Sequence, residues 1–156
     1  MKRSHSAGRC VLIVDDDRDT REMYGESLRA MGFDVMTAPS AEEALRLAAQ
    51  LAPAVLVTDL RLRGQMDGCA LARRLREDAR TRPIRIIMLT GAAFGAEREL
   101  ADASGCDRFL LKPCLPDALA AEIRRLASAG AVLASDIGTP TRVHDSRTGR
   151  SVPRKT

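Results

Sequence analysis

Val11-Leu12-Ile13-Val14-Asp15-Asp16-Asp17 sets an uninterrupted apolar run directly against a run of carboxylates. Apolar residues without polar alternation, at this length, mark a strand covered on both faces, the kind found in parallel sheets. Three later runs end in the same fashion. Val55-Leu56-Val57-Thr58 leads into Asp59, Ile84-Arg85-Ile86-Ile87-Met88-Leu89 into Thr90, and Phe109-Leu110-Leu111 into Lys112. In an open parallel sheet, ligands bind beyond the carboxyl ends of the strands. The four runs therefore predict one crevice that gathers Asp15, Asp16, Asp59, Thr90 and Lys112 from distant parts of the chain. Clustered carboxylates repel one another unless a cation lies among them, and hard oxygen donors with room for water suit Mg²⁺. The expected chemistry is a phosphoryl group meeting an aspartate beside a magnesium ion.

Outward from these runs, strand-like and helix-like stretches alternate. Strands are predicted near residues 10–14, 34–38, 54–58, 84–89 and 107–111, and helices near 18–31, 40–50, 67–78, 94–104 and 115–127, where apolar residues recur every three and four positions. The punctuation agrees. Gly32 and Gly105 follow helical stretches where left-handed C-caps belong, and Ser40 with Glu43 forms a Ser-x-x-Glu capping box. Alternating strands and helices imply right-handed crossovers, hence an α/β fold with a doubly wound five-stranded parallel sheet.

The 156 residues suffice for one domain of ordinary size, and 45% hydrophobic content supports a packed core. No apolar run approaches the roughly 18 residues of a membrane span, and the N-terminus has no signal-peptide pattern, so a cytoplasmic protein without membrane contact is expected. Cys10, Cys69, Cys106 and Cys114 form no Cys-x-x-Cys pair, which argues for packing rather than metal binding or disulfides. The formal net charge of +4 resides in the ends: three bases before Cys10 and a net +3 beyond residue 127 leave residues 11–127 at −2. With few aromatic residues and no recognisable DNA-binding motif, the basic ends do not amount to a nucleic-acid reader. Residues 1–9 are expected to form a flexible N-terminus, 10–127 the folded domain, and 128–156 a mostly disordered basic tail.

Residues 10–127 resemble the receiver domain of two-component response regulators. The resemblance rests on Val14-Asp15-Asp16-Asp17 as the acidic pair after strand one and Asp59 as the phosphoacceptor after strand three. It continues with Asp67-Gly68 at the start of helix three, Leu89-Thr90-Gly91 with the switch hydroxyl, and Lys112-Pro113 with the lysine usually followed by a cis-proline. It implies a flavodoxin-like (βα)5 fold with strand order 2-1-3-4-5. It further implies that Asp59 becomes a 4-aspartylphosphate with Asp59, Thr90 and Lys112 as the catalytic set. Mg²⁺ is then held by Asp16, Asp59 and the Arg61 backbone carbonyl, with Asp15 holding a bound water. Thr90 and Phe109 are the implied switch residues, acting on the face made by the fourth helix, fifth strand and fifth helix.

Taken singly, each of these residues has an ordinary explanation. Asp15 to Asp19 suit a helix start, Asp59 a strand-ending turn, Thr90 a β-former, Lys112 a solvated charge and Phe109 a core aromatic. Their joint placement carries the functional reading. The chain departs from the family in its Asp59-to-Gly68 loop, which lacks the usual proline and is one residue longer, in Gly91 for an alanine, and in Cys114 for a large aromatic. The expected partners are a histidine kinase or histidine phosphotransfer protein and an unknown downstream protein, reached as a monomer or weak dimer by a stand-alone receiver without external turnover. Two alternatives stay open: a haloacid dehalogenase-like phosphohydrolase using the first aspartate after strand one, and a scaffold on the same fold that works without phosphorylation.

Overall fold

The computed structural model describes residues 10–91 and 95–137. Strand and helix alternate throughout: β1 (Cys10–Val14), α1 (Arg18–Ala30), β2 (Asp34–Ala38), α2 (Ala41–Leu51), β3 (Val55–Asp59), α3 (Gly68–Glu77), β4 (Arg85–Thr90), α4 (Ala96–Ala103), β5 (Arg108–Leu111) and α5 (Pro116–Ile137). The strands make one parallel sheet in the order β2-β1-β3-β4-β5. The chain steps outward from β1 to β2, then returns past β1 to β3. This reversal opens a crevice beyond the carboxyl ends of β1 and β3.

The apolar strands are explained by two packed layers. Val11 and Ile13 of β1 join Val55, Val57, Ile87 and Leu89 against Tyr24 and Leu28 of α1 and Leu119 and Ile123 of α5. Leu12 and Val14 join Leu56, Ile86 and Met88 on the other face, against α2 and α3. Successive strand residues thus serve opposite cores, and each fully buried large aliphatic contributes about 1.5–3 kcal/mol. Ala41, Ala44 and Ala48 recur on one side of α2 and let it lie close to the sheet.

Caps set the helix starts. The Asp17 carboxylate accepts from the Thr20 amide at 3.0 Å, and the Asp67 carboxylate from the Ala70 amide at 2.8 Å. Only half of the expected capping box forms: the Ser40 hydroxyl accepts from the Glu43 amide at 3.2 Å, while the Glu43 carboxylate turns to Arg46 on the solvent side. Gly32 (φ 94°) and Gly105 (φ 87°) adopt the left-handed conformation anticipated for them. Element limits otherwise agree with the sequence reading to within two residues, except at the last helix. α5 runs to Ile137, beyond the 127 expected, because Ala129, Ala131, Leu133 and Ala134 are good helix formers that outweigh one glycine. Of the segments read as flexible or disordered, residues 1–9 and the 138–156 part of the 128–156 tail lie outside the described residues, as does Phe94, read as a helix start. Among the described residues, no helix is long and apolar enough to cross a membrane.

Two contacts fix elements that carry the site. Gly68 opens α3 so close to β3 that a Cβ there would stand 2.2 Å from the Asp59 carbonyl oxygen, and its amide donates to Leu60 O at 3.0 Å. On the sheet edge, Asp107 accepts from the Ile86 amide at 2.7 Å and pairs with Arg76 at 2.7 Å and Arg85 at 3.2 Å. Arg76 also donates to the carbonyls of Gly105, Arg82 and Ile84. This half-buried cluster ties β5 to β4 and α3.

Asp107→Ala strips the Ile86 amide and two guanidinium groups of their acceptor, so the urea midpoint should fall by the equivalent of about 2 kcal/mol; an unchanged midpoint contradicts the clamp. Gly68→Ala forces α3 off β3 and should cost about 1–3 kcal/mol in the same measurement.

Candidate functional site

Asp15 and Asp16 leave the end of β1 together but settle differently. Asp15 is buried, at 3% exposure, with its Oδ1 accepting from the Asp17 amide at 2.9 Å. Arg21 of α1 donates to its backbone carbonyl at 2.8 Å, fixing the turn. Burial pushes the Asp15 carboxyl above the usual carboxylate range; the Asp17 amide and Lys112 oppose this, while Asp59 and Asp16 add repulsion. Asp16 is more open and reaches the loop after β3, where its Oδ2 accepts from the Arg63 amide at 3.0 Å and lies 3.5 Å from Nε of the same residue.

Asp59 ends β3 in register with Leu89 of β4. Its carbonyl side is closed by Gly68, so the carboxylate faces the crevice. Oδ2 accepts from Lys112 Nζ at 2.8 Å, and Oδ1 from the Arg61 amide at 3.3 Å. Leu60 and Leu62 are buried, so the alternating Arg61 and Arg63 stand on the open side of this loop.

Thr90 and Lys112 arrive on neighbouring strands. The Lys112 amide donates to the Thr90 carbonyl at 2.7 Å, extending the β4–β5 pairing to the site. A cis peptide joins Lys112 to Pro113, and the Tyr24 hydroxyl, reaching from α1, donates to Cys114 O at 2.6 Å. Lys112 Nζ also stands 3.9 Å from Asp15 Oδ2. A cleft of about 360 Å³ beside Asp59 is lined by Asp59, Arg61, Thr90, Gly91, Glu97 and Lys112.

Asp15, Asp16 and Asp59 each present a ligand atom within 4.8 Å of the others. Lys112 bonds directly to only one of them, and the group at Asp16 comes from an exposed loop. The surplus negative charge and the all-oxygen donor set fit a hard divalent cation. All five strand-end residues anticipated from the sequence meet at this edge. Phe109 lies away from the cleft, half-buried against the α2–α3 core, with the Arg98 guanidinium 4.8 Å from its ring centroid. Asp17 serves as an N-cap, as its ordinary explanation holds. Cys10 and Cys69 are buried, Cys106 and Cys114 half-buried, and all four are free thiols.

Three residues at the site carried no recognisable signal. Arg63 is brought to Asp16 by the loop's own path, Tyr24 braces the lysine turn across 90 positions of sequence, and Glu97 enters from α4.

The chain is similar to known proteins over most of its folded length. The family model for the response regulator receiver domain matches residues 11–124. Response regulator Rre1 of Synechocystis sp. is 36% identical over 117 residues, covering 74% of this chain and 50% of that protein. The chain thus spans about half the length of that relative. An uncharacterized 14.6 kDa protein of Leptolyngbya boryana is 39% identical over 106 residues, covering 68% of this chain and 80% of that one. Among solved structures, a response regulator from Chloroflexus aurantiacus superposes with a TM-score of 0.72 at 32% identity, covering 77% of this chain and 98% of the other. The sheet order, the acidic cluster facing a lysine and the family match together establish that this chain belongs to the response regulator receiver domain family.

Proposed function

We propose that the chain accepts a phosphoryl group on Asp59 from a histidine kinase or histidine phosphotransfer protein and passes the signal on through protein contacts. The observation that carries this reading is the Asp59 carboxylate, held 2.8 Å from Lys112 Nζ beside two further carboxylates in one open crevice. In the transfer, an Asp59 carboxylate oxygen bonds to phosphorus while the bond from phosphorus to the donor atom breaks. The donor leaves with the electron pair and Asp59 becomes an acyl phosphate. Asp15, Asp16, Asp59 and the Arg61 backbone carbonyl are the groups suited to hold Mg²⁺. When bound, that ion neutralises charge between carboxylate and phosphoryl oxygens.

Lys112 is already paired with Asp59 and needs only a small shift to meet the new phosphoryl oxygens as a compact cation. Thr90 can donate its hydroxyl to the same group. Its movement vacates buried volume, and Phe109, packed under Arg98, turns to refill it. The face of α4, β5 and α5 then changes, and a partner that prefers the altered face reads the signal. A bias of about 1–3 kcal/mol between the two states alters partner affinity roughly 5- to 150-fold. Residues 10–127 form the receiver unit in this reading, working in the cytoplasm as a monomer or weak dimer.

Incubation with Mg²⁺ and acetyl phosphate should label the wild type and leave Asp59→Asn unlabelled; equal labelling of both sinks the assignment. Loss of label in Asp15→Asn with retention in Asp59→Asn points instead to a phosphohydrolase. Mg²⁺ titration separates ligand from sensor: Asp16→Asn should weaken the ion by about tenfold or more, about 1.4 kcal/mol, whereas Lys112→Ala keeps or tightens it while lowering the labelling rate. Equal weakening in both variants contradicts the division of roles.

A further inference from the structure

Among the described residues lining the cleft, Glu97 is the acidic group that the proposed mechanism does not use. It sits in the first turn of α4, where a carboxylate favours the helix dipole, and Glu99 in the same turn needs no other explanation. Glu99 is exposed, whereas the Glu97 side chain is only 19% exposed and turned towards the phosphoacceptor. Its Oε1 pairs with the Arg61 guanidinium from the loop after β3. Its Oε2 lies 3.5 Å from the Thr90 hydroxyl, at the outer limit of hydrogen-bond reach. Both partners line the cleft beside Asp59.

A phosphoryl group on Asp59 brings negative charge into a space that already holds this carboxylate. Like charges sharing one cleft repel, and the phosphoryl oxygens are the stronger acceptors for both a guanidinium and a hydroxyl. The start of α4 has no side-chain cap, since Gly95 occupies that position, so Glu97 is a principal tie between this helix end and the site among the described residues. The neighbouring Arg98 covers the Phe109 ring. One turn of α4 therefore touches the cleft through one residue and the aromatic through the next.

Building on the phosphoacceptor reading of Asp59, we propose that Glu97 is a positioning residue that holds the unphosphorylated state. It occupies Arg61 and faces Thr90; a phosphoryl group on Asp59 takes over both partners, expels the Glu97 carboxylate and frees the first turn of α4. Arg61 thereby changes from a counter-ion of Glu97 to a counter-ion of the phosphoryl group.

The test uses beryllofluoride with Mg²⁺ as the phosphoryl mimic, its binding followed by fluorine NMR on the full chain. Glu97→Gln and Glu97→Ala should each bind it roughly fivefold tighter or more, within the usual range of allosteric coupling, and label faster with acetyl phosphate. Arg61→Met alone should bind more weakly than wild type, and adding it to Glu97→Gln should remove most of the gain. A merely structural role for Glu97 gives no tightening. Wild-type or weaker binding by both Glu97 variants, with wild type labelled on Asp59, overturns the Glu97 proposal alone. Failure of the wild type to bind beryllofluoride or to label overturns this proposal and the phosphoacceptor reading together.

Discussion

Repulsion among Asp15, Asp16 and Asp59, held with ligand atoms inside 4.8 Å at the carboxyl edge of the sheet, is the constraint from which the other features of the site follow. The parallel sheet creates it, because every strand delivers its last residue to the same edge. The surroundings then answer it unevenly. Lys112 meets Asp59 directly, a backbone amide meets Asp15, and Asp16 is served by a loop arginine and its amide. What is left over is negative charge on hard oxygen donors, the circumstance in which a divalent cation and then a phosphoryl group gain most.

Rigid packing makes that excess useful. The carboxylates stand at the ends of strands whose side chains fill two cores, so their backbone cannot move apart without breaking packed contacts. Lys112 is equally constrained: its amide is paired with Thr90 O, and its turn is braced by the Tyr24 hydroxyl. The side chains placed to respond are those lining the cleft, the buried Thr90 and the more open Arg61 and Glu97. Under the proposed function, a charge change at Asp59 is therefore expected to act along β4, α4 and β5 rather than through the sheet.

Much of this was legible in the sequence, for a physical reason. Strands buried on both faces are written as apolar runs, and chemistry at their ends as the first polar residue after each run. Val14 to Asp16, Thr58 to Asp59 and Leu111 to Lys112 therefore announced both fold and crevice. Asp67-Gly68 was legible only through the family resemblance; the structure supplies its reason, since a Cβ at Gly68 would meet the Asp59 carbonyl. Glu97, Tyr24 and Arg63 were not legible. Their roles depend on where a helix or loop docks, which no local pattern encodes. The half-formed box at Ser40 shows the same limit: the motif named the helix start, but Arg46 decided where the Glu43 carboxylate went. The end of α5 was missed because alanine-rich residues beyond 127 lack the apolar periodicity of a packed helix yet retain the propensity for one.

Which carboxylate takes the phosphoryl group decides how this site works. Borohydride reduction of the chain after treatment with Mg²⁺ and acetyl phosphate, followed by peptide mass mapping, locates an acyl phosphate by converting the modified aspartate to homoserine. Conversion confined to position 59 is the predicted result; conversion at position 15 or 16, or at none, contradicts it.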